Sequence, residues 1–160
     1  MELEIRRMQV QEYPLLKEFL WEAIFQQEDG PPLSKELLLD PALSQYYALF
    51  GSRCDDLCIC AEVDQQVIGA VWVRVIAGYG KVDAHTPEMA ISLYPSYRGQ
   101  GIGTQLIQQM LHELRKKGVS KVSLSVQKAN PAWQLYLRLG FTMFLEIEEE
   151  YLMVADLSSQ

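Results

Sequence analysis

Cysteine, histidine and long apolar runs are scarce in this 160-residue sequence, and each scarcity closes off a class of protein. The three cysteines, Cys54, Cys58 and Cys60, are odd in number and clustered, and the only histidines, His85 and His112, stand far along the chain. Neither a disulfide framework nor a zinc site is indicated, and the thiols read as buried or loop residues. No apolar run reaches the roughly 18 residues that a membrane span requires, and the start MELEIRRM has neither the apolar core nor the cleavage site of a signal peptide. A cytoplasmic protein with no membrane partner is the expectation. The net charge of −7, without a basic stripe interleaved with aromatics, argues against a nucleic-acid partner. No repeat or linker divides the chain, so one domain over residues 1–160 is expected, long enough to bury roughly two thirds of its unfolded surface.

What is present is unevenly charged. Residues 98–138 carry Arg98, Arg115, Lys116, Lys117, Lys121, Lys128 and Arg138 against the single acid Glu113, so the rest of the chain is strongly acidic, with Glu12, Glu18, Glu22, Glu28, Asp29, Glu36 and Asp40 near its start. One part suits an anionic ligand and the other a cationic one. The basic part opens on Arg98, Gly99, Gln100, Gly101, Ile102 and Gly103, which follow an apolar run and start a long amphipathic pattern. Glycines at a helix N-terminus gather unpaired N–H groups and the positive end of the helix dipole, which suits a phosphate or pyrophosphate. A P-loop would need a lysine where Thr104 follows Gly103. A dinucleotide fingerprint would need a glycine at Thr104 and an acid where Lys121 and its neighbours stand. Neither applies.

In chain order, Leu3 and Ile5 alternate with charges as a first strand, and Leu15, Leu16, Phe19, Leu20, Ala23 and Ile24 recur at helical spacing within 13–25. A turn at Asp29, Gly30, Pro31 and Pro32 precedes a Ser34-capped segment over 35–39. Pro41 restarts a helix expected to run to Phe50 and stop at Gly51. The β-branched runs 57–63 and 67–77 flank a short polar turn, predicting an antiparallel hairpin in which Gly69 marks a bulge. A strand over 89–94, a helix over 101–117, a strand over 121–126, a helix from Asn130 and Pro131 to Gly140, and two closing strands near 141–147 and 151–155 complete the chain.

The glycine stretch resembles the Arg/Gln-x-x-Gly-x-Gly/Ala signature of the GNAT N-acetyltransferase superfamily, with Arg98, Gly101 and Gly103 in the matched places. Asn130, Pro131, Ala132, Leu135, Tyr136, Gly140 and Phe141 resemble the same family's Asn-Pro-Ala-x-x-Leu-Tyr-x-x-x-Gly-Phe segment. The order of elements is similar to that fold over nearly the whole chain. The resemblance implies an α/β (α+β) architecture, a central mixed, mostly antiparallel twisted sheet flanked by about four helices. It also implies acetyl-CoA as cosubstrate and no metal, with the pyrophosphate on the amides of residues 99–104 (Gly99, Gln100, Gly101, Ile102, Gly103, Thr104) and Arg98 beginning that loop. The pantetheine arm would lie between two splayed strands, held by main-chain groups of Leu93 and Tyr94, with an amide there polarising the thioester oxygen.

Tyr136 falls where the family protonates the departing thiolate, and the same ring could instead pack beside the cofactor. Asn130 stands where the family contacts the pantetheine arm, serves as a helix N-cap, or does both. The family fixes no residue for the general base; Glu88, at the start of the strand entering the cleft, is the candidate, acting directly or through water, against a plain surface carboxylate, with His85 behind it. Trp21, Glu22, Phe25, Trp72, Arg74 and Tyr79 are the expected acceptor wall, with some of the aromatics ordinary core. Transfer of acetyl to a primary amine by direct attack is the resulting expectation. A cationic small molecule is preferred as acceptor, with a protein or peptide amine, or a silent acyl-CoA-binding module, as alternatives. Arg74 leaves room for an acceptor carboxylate. Relatives are often dimers, which leaves a homodimer open.

Overall fold

A computed structural model describes residues 2–24 and 31–158. The chain runs through β1 (Leu3–Arg7), α1 (Leu16–Ala23), α2 (Pro41–Ser44), β2 (Leu57–Val63), β3 (Gln66–Arg74), β4 (Glu88–Leu93), α3 (Ile102–Lys116), β5 (Lys121–Gln127), α4 (Ala132–Arg138), β6 (Phe141–Ile147) and β7 (Glu150–Asp156). Short 3-10 segments occupy Val10–Leu15, Lys35–Leu39 and Pro95–Tyr97. Among the described residues the seven strands make one sheet in the order β1-β2-β3-β4-β5-β7-β6. Its neighbours are antiparallel except β4 and β5, so the mixed, mostly antiparallel sheet implied by the sequence is the one observed. Among the described residues no helix is long and apolar enough to cross a membrane.

Each face of the sheet carries its own core. On one, α3 buries Ile102, Leu106, Ile107, Met110, Leu111 and Leu114 against Ile59, Val71, Leu124 and Met153. Each such side chain contributes roughly 1.5–3 kcal/mol by leaving water. On the other, Leu16, Phe19 and Leu20 of α1 pack on Trp72, Cys58 and Cys60. Both strand cysteines are therefore core thiols, while Cys54 is exposed in a loop.

The hairpin forms as expected, with Asp64 and Gln65 both at positive φ in its two-residue turn. Its bulge falls beside Gly69: Ala61 pairs with Gly69 and Glu62 with Val67, so Ile68 is the extra residue. Gly69 also lies against β4. A Cβ there would strike the Leu93 side chain and stand 2.8 Å from the Ser92 carbonyl. Gly69→Ala is expected to lower stability by about 1–3 kcal/mol, as overpacking does, read as a shift in the urea midpoint.

Two helices are shorter than the sequence pattern suggests. The first is preceded by a 3-10 segment containing Pro14, and Phe25, with the start of the following turn, lies outside the described residues. The second is helical only to Ser44. Beyond it the backbone turns through i→i+3 bonds, Tyr46 to Leu43, Tyr47 to Ser44 and Phe50 to Tyr47, while Leu49 takes a positive φ. The cause is Arg74, whose guanidinium donates to the carbonyls of Gln45, Ala48 and Leu49.

Candidate active site

The single parallel contact in the sheet is where the site opens. β4 and β5 pair at one position only, Glu88 with Ser123, where the Ser123 N–H donates to the Pro87 carbonyl at 3.0 Å. Beyond it the two strands diverge. The register says which main-chain groups the opening leaves unpaired. Tyr94 donates its N–H to Ile68 on β3 at 2.9 Å, and main-chain direction alternates along a strand. Met89, Ile91 and Leu93 therefore turn their amides away from β3; that of Met89 is taken up in the Glu88–Ser123 pairing, and those of Ile91 and Leu93 are left facing the gap. On the facing strand Lys128 donates to Glu149 on the β7 side, so Ser125 and Gln127 face the gap as well. Among the described residues this is an open seam with amides on both edges.

A cleft of about 400 Å³ occupies the seam. Its walls include Met89, Ala90 and Ile91 from β4, Leu124, Ser125, Val126 and Gln127 from β5, then Asn130, Tyr136, Tyr46, Tyr79 and Glu150. The glycine loop lies at the end of β4. Gly99 and Gly101 adopt φ of +75° and +83°, and a Cβ on either would meet nothing within 4 Å, so these glycines serve the backbone conformation and leave open space. The first bond within α3 runs from the Gln105 N–H to the Gly101 carbonyl, which leaves the amides of Ile102, Gly103 and Thr104 without helical partners. The Ile102 side chain is core, so only its amide can serve a ligand. Seam, cleft and amide cluster fit an extended chain that ends in an anionic group.

Tyr136 enters the cleft from α4, its ring tilted against Phe141 at 5.9 Å between centroids. Its hydroxyl has no hydrogen-bond partner among the described residues, and burial pushes its pKa up to about 12. Asn130 caps α4, its Oδ1 accepting from the Ala132 N–H at 3.0 Å, and still lines the cleft. Both sequence readings of that residue are compatible with this placement.

Several expected site residues lie elsewhere. Glu88 is 2 % exposed and sits behind the cleft wall, accepting from the Tyr46 hydroxyl at 2.8 Å and from the Gly78 and Gly80 amides. Burial pushes its carboxyl up, against the hydrogen bonds that pull it down. In this position Glu88 latches the 78–80 loop and cannot touch an acceptor directly. Tyr94 has its amide committed to β3, so it cannot hold a ligand in the seam through that N–H. Its hydroxyl donates to Glu18 at 2.9 Å. Arg98 turns back toward α1, donating to the Leu93 carbonyl and pairing with Glu22 at 3.1 Å. That contact takes Glu22 out of the acceptor wall. Trp21 lies under the Lys35 ammonium at 5.8 Å. Trp72 is core, its indole N–H donating to the Tyr46 carbonyl at 3.0 Å. Arg74 is 2 % exposed and paired with Asp56, with its donors spent inside the fold and none left for an acceptor carboxylate. Of the described residues of that predicted wall, Tyr79 remains at the cleft. Lining residues that sequence reasoning missed include Tyr46, Leu33, Leu37 and Glu150, with Ile91 and Ser125 on the two strand edges.

These features can be set beside known proteins. Residues 16–141 match the Acetyltransferase (GNAT) family. A mycothiol acetyltransferase of Corynebacterium glutamicum is 40% identical over 73 residues, which are 42% of this chain and 25% of that protein, so the chain spans about a quarter of that relative's length. An N-alpha-acetyltransferase of Sulfurisphaera tokodaii is 31% identical over 113 residues, 61% of this chain and 67% of the other. The crystal structure of the PaiA N-acetyltransferase of Thermoplasma acidophilum, in complex with coenzyme A, superimposes with a TM-score of 0.71 at 22% identity, covering 98% of this chain and 99% of that one. The family's pattern covers well over half of the sequence, and the fold is shared almost end to end. The chain belongs to the GNAT family of acetyltransferases.

Proposed function

We propose that the protein is an N-acetyltransferase that moves an acetyl group from acetyl-CoA to a primary amine on a small cationic molecule. The observation that carries this reading is the open β4–β5 seam, lined by unpaired amides and entered by the Tyr136 hydroxyl. Acetyl-CoA, when bound, supplies an activated acetyl thioester; a C–N bond forms to the amine as the C–S bond breaks. Amides of residues 99–104 would hold its pyrophosphate at the positive end of α3. Main-chain groups of Ile91 and Leu93 on one edge and Ser125 on the other would hold the arm. An N–H of Ile91 or Leu93 would donate to the carbonyl oxygen as charge develops there. Tyr136 would give its hydroxyl hydrogen to the departing sulfur, and the proton shed by the attacking nitrogen would return to the phenolate through water in the cleft.

The amine must be neutral when it attacks, so an acceptor bound as its ammonium first loses one proton to solvent. A lysine-like ammonium has a pKa near 10.4, so presenting the free base at pH 7 costs roughly 4–5 kcal/mol. Glu88 reaches the cleft only through Tyr46, so its part is to hold the loop that forms the wall.

The test is thiol release from acetyl-CoA across polyamines, aminoglycosides, amino acids and short peptides, with coenzyme A binding measured by calorimetry alongside. Turnover with one amine class supports the reading. Tight binding with no turnover on any acceptor would move the protein to a silent acyl-CoA-binding role. Gly101→Ala is expected to weaken coenzyme A about tenfold, because a side chain at that φ costs about 1–2 kcal/mol unless the cradle relaxes out of shape.

A further inference from the structure

Resting on that reading, we propose that the acceptor end of the cleft selects an amine bearing one positive charge on an apolar body. Glu150 holds the ammonium, and Leu33, Leu37 and Tyr79 hold the body.

Strand geometry places Glu150 on the acceptor side. The Ser123 hydroxyl donates to the Gly80 carbonyl, so that face of β5 looks toward the 78–80 loop and the α1 side of the sheet. Gln127 shares the face by alternation, and Gln127 pairs with Glu150 on β7. Tyr136 belongs to the opposite side, packed on the α3-side core. The two residues therefore line one cleft from opposite faces of the sheet. An amine bound at Glu150 and a leaving group beside Tyr136 would meet across the seam.

The chemistry of the wall is one-sided. Glu150 is the only carboxylic acid among the described lining residues, and no lysine or arginine stands among them. Its side chain has no hydrogen bond or ion pair among the described residues. Neighbouring acids on the α1 side are engaged: Glu18 by Tyr94, Glu22 by Arg98, and Glu88 by Tyr46 and two amides. Burial and the nearby Glu148 push the Glu150 carboxyl up, which a bound cation would relieve. Much of the rest of the lining is apolar. Leu33, Leu37 and Tyr79 are 38%, 39% and 49% exposed, an unusual outlay of large apolar surface at a cleft mouth. A polyamine would leave further charges beside leucines. A free amino acid would bring a carboxylate with no cation to meet it. A monoamine with an apolar body satisfies both walls, whether it is a small molecule or the first residue of a peptide.

The experiment measures kcat/KM for acetyl transfer to phenethylamine, a peptide amide beginning with leucine, spermidine and free leucine. It uses the wild type, Glu150→Gln and Leu37→Asp, with melting temperature against each amine read separately. Phenethylamine or the leucyl peptide should exceed spermidine and free leucine by at least about tenfold, and whichever of the two is better names the source of the amine. Glu150→Gln should raise KM about tenfold with a smaller change in kcat, and Leu37→Asp should narrow the gap to spermidine. Phenethylamine should raise the melting temperature of the wild type and not of Glu150→Gln. A preference for spermidine or free leucine, or an unchanged KM in Glu150→Gln, overturns the proposal while leaving acetyl transfer intact. If acetyl-CoA binds but no amine is acetylated, the transfer reading falls. The melting data then decide the site alone: Glu150-dependent stabilisation by phenethylamine upholds it, and its absence overturns it.

Discussion

Tyr136→Phe is expected to lower kcat by about 10²-fold, the contribution of one positioned proton donor, while leaving the melting temperature and coenzyme A affinity nearly unchanged. Phenylalanine keeps the ring that tilts against Phe141 and removes only a hydroxyl with no protein partner among the described residues. Folding therefore loses little, and the leaving sulfur loses its donor. The pH profile sharpens the test. Burial pushes the phenol up to about 12, so it stays protonated as pH rises through the neutral and mildly alkaline range. The wild-type kcat/KM should climb with pH as the amine sheds its proton, and no falling limb should appear below about pH 10, since the phenol still carries its proton there. A falling limb near pH 8 would assign the acid to another group. A free thiol has a pKa of about 8.5 in water, so full transfer from a phenol near 12 is uphill in that reference. The dry surroundings that raise the phenol raise the thiol too, which narrows the gap. The hydroxyl then acts first as a hydrogen-bond donor to the sulfur as its charge grows.

Local signals were legible in the sequence, and long-range pairings were not. α3 announces itself by Ile102, Leu106, Met110 and Leu114 at helical spacing, and the glycines before it by position. The hairpin is read from two β-branched runs around Asp64 and Gln65. These depend on residues within a few positions of each other. Arg74 misleads because charge usually marks an exposed face; here carbonyls about thirty positions earlier in the chain converge on it. Trp72, two residues before it on the same strand face, goes into the core for the same reason. Glu88 does open the strand at the cleft, as expected, but Tyr46 and the 78–80 amides enclose its carboxylate. Glu150 hides in the opposite way. In Glu148, Glu149 and Glu150 the sequence offers a run of acids at a turn, and only the pairing of β5 with β7 turns the third one to the cleft wall.

Asp56→Ala is expected to lower stability by about 3–5 kcal/mol, because it strands a buried guanidinium. All five Arg74 donors are used. Nε and Nη2 donate to the two Asp56 oxygens at 3.0 Å each, Nη1 to the Gln45 and Ala48 carbonyls at 2.9 and 2.6 Å, and Nη2 also to the Leu49 carbonyl at 3.0 Å. The Phe50 ring covers the group at 5.3 Å, and the two side chains are only 2% and 1% exposed. Removing Asp56 also releases the Gly51 and Arg53 amides that its Oδ2 accepts. Arg74→Met in the same background should recover part of the loss, since a buried charge without its partner costs more than an apolar chain of similar length. Arg74→Lys should not rescue, because one ammonium cannot reproduce a five-donor fork. Urea midpoints for the two single variants and the double variant measure the coupling. The consequence extends to the site. Arg74 fixes the carbonyls of residues 45–49, that segment carries Tyr46, and Tyr46 both lines the cleft and holds Glu88 against the 78–80 loop. A surviving Asp56→Ala protein should therefore bind acceptor more weakly while keeping its coenzyme A affinity, because the glycine loop and α3 lie on the other side of the sheet.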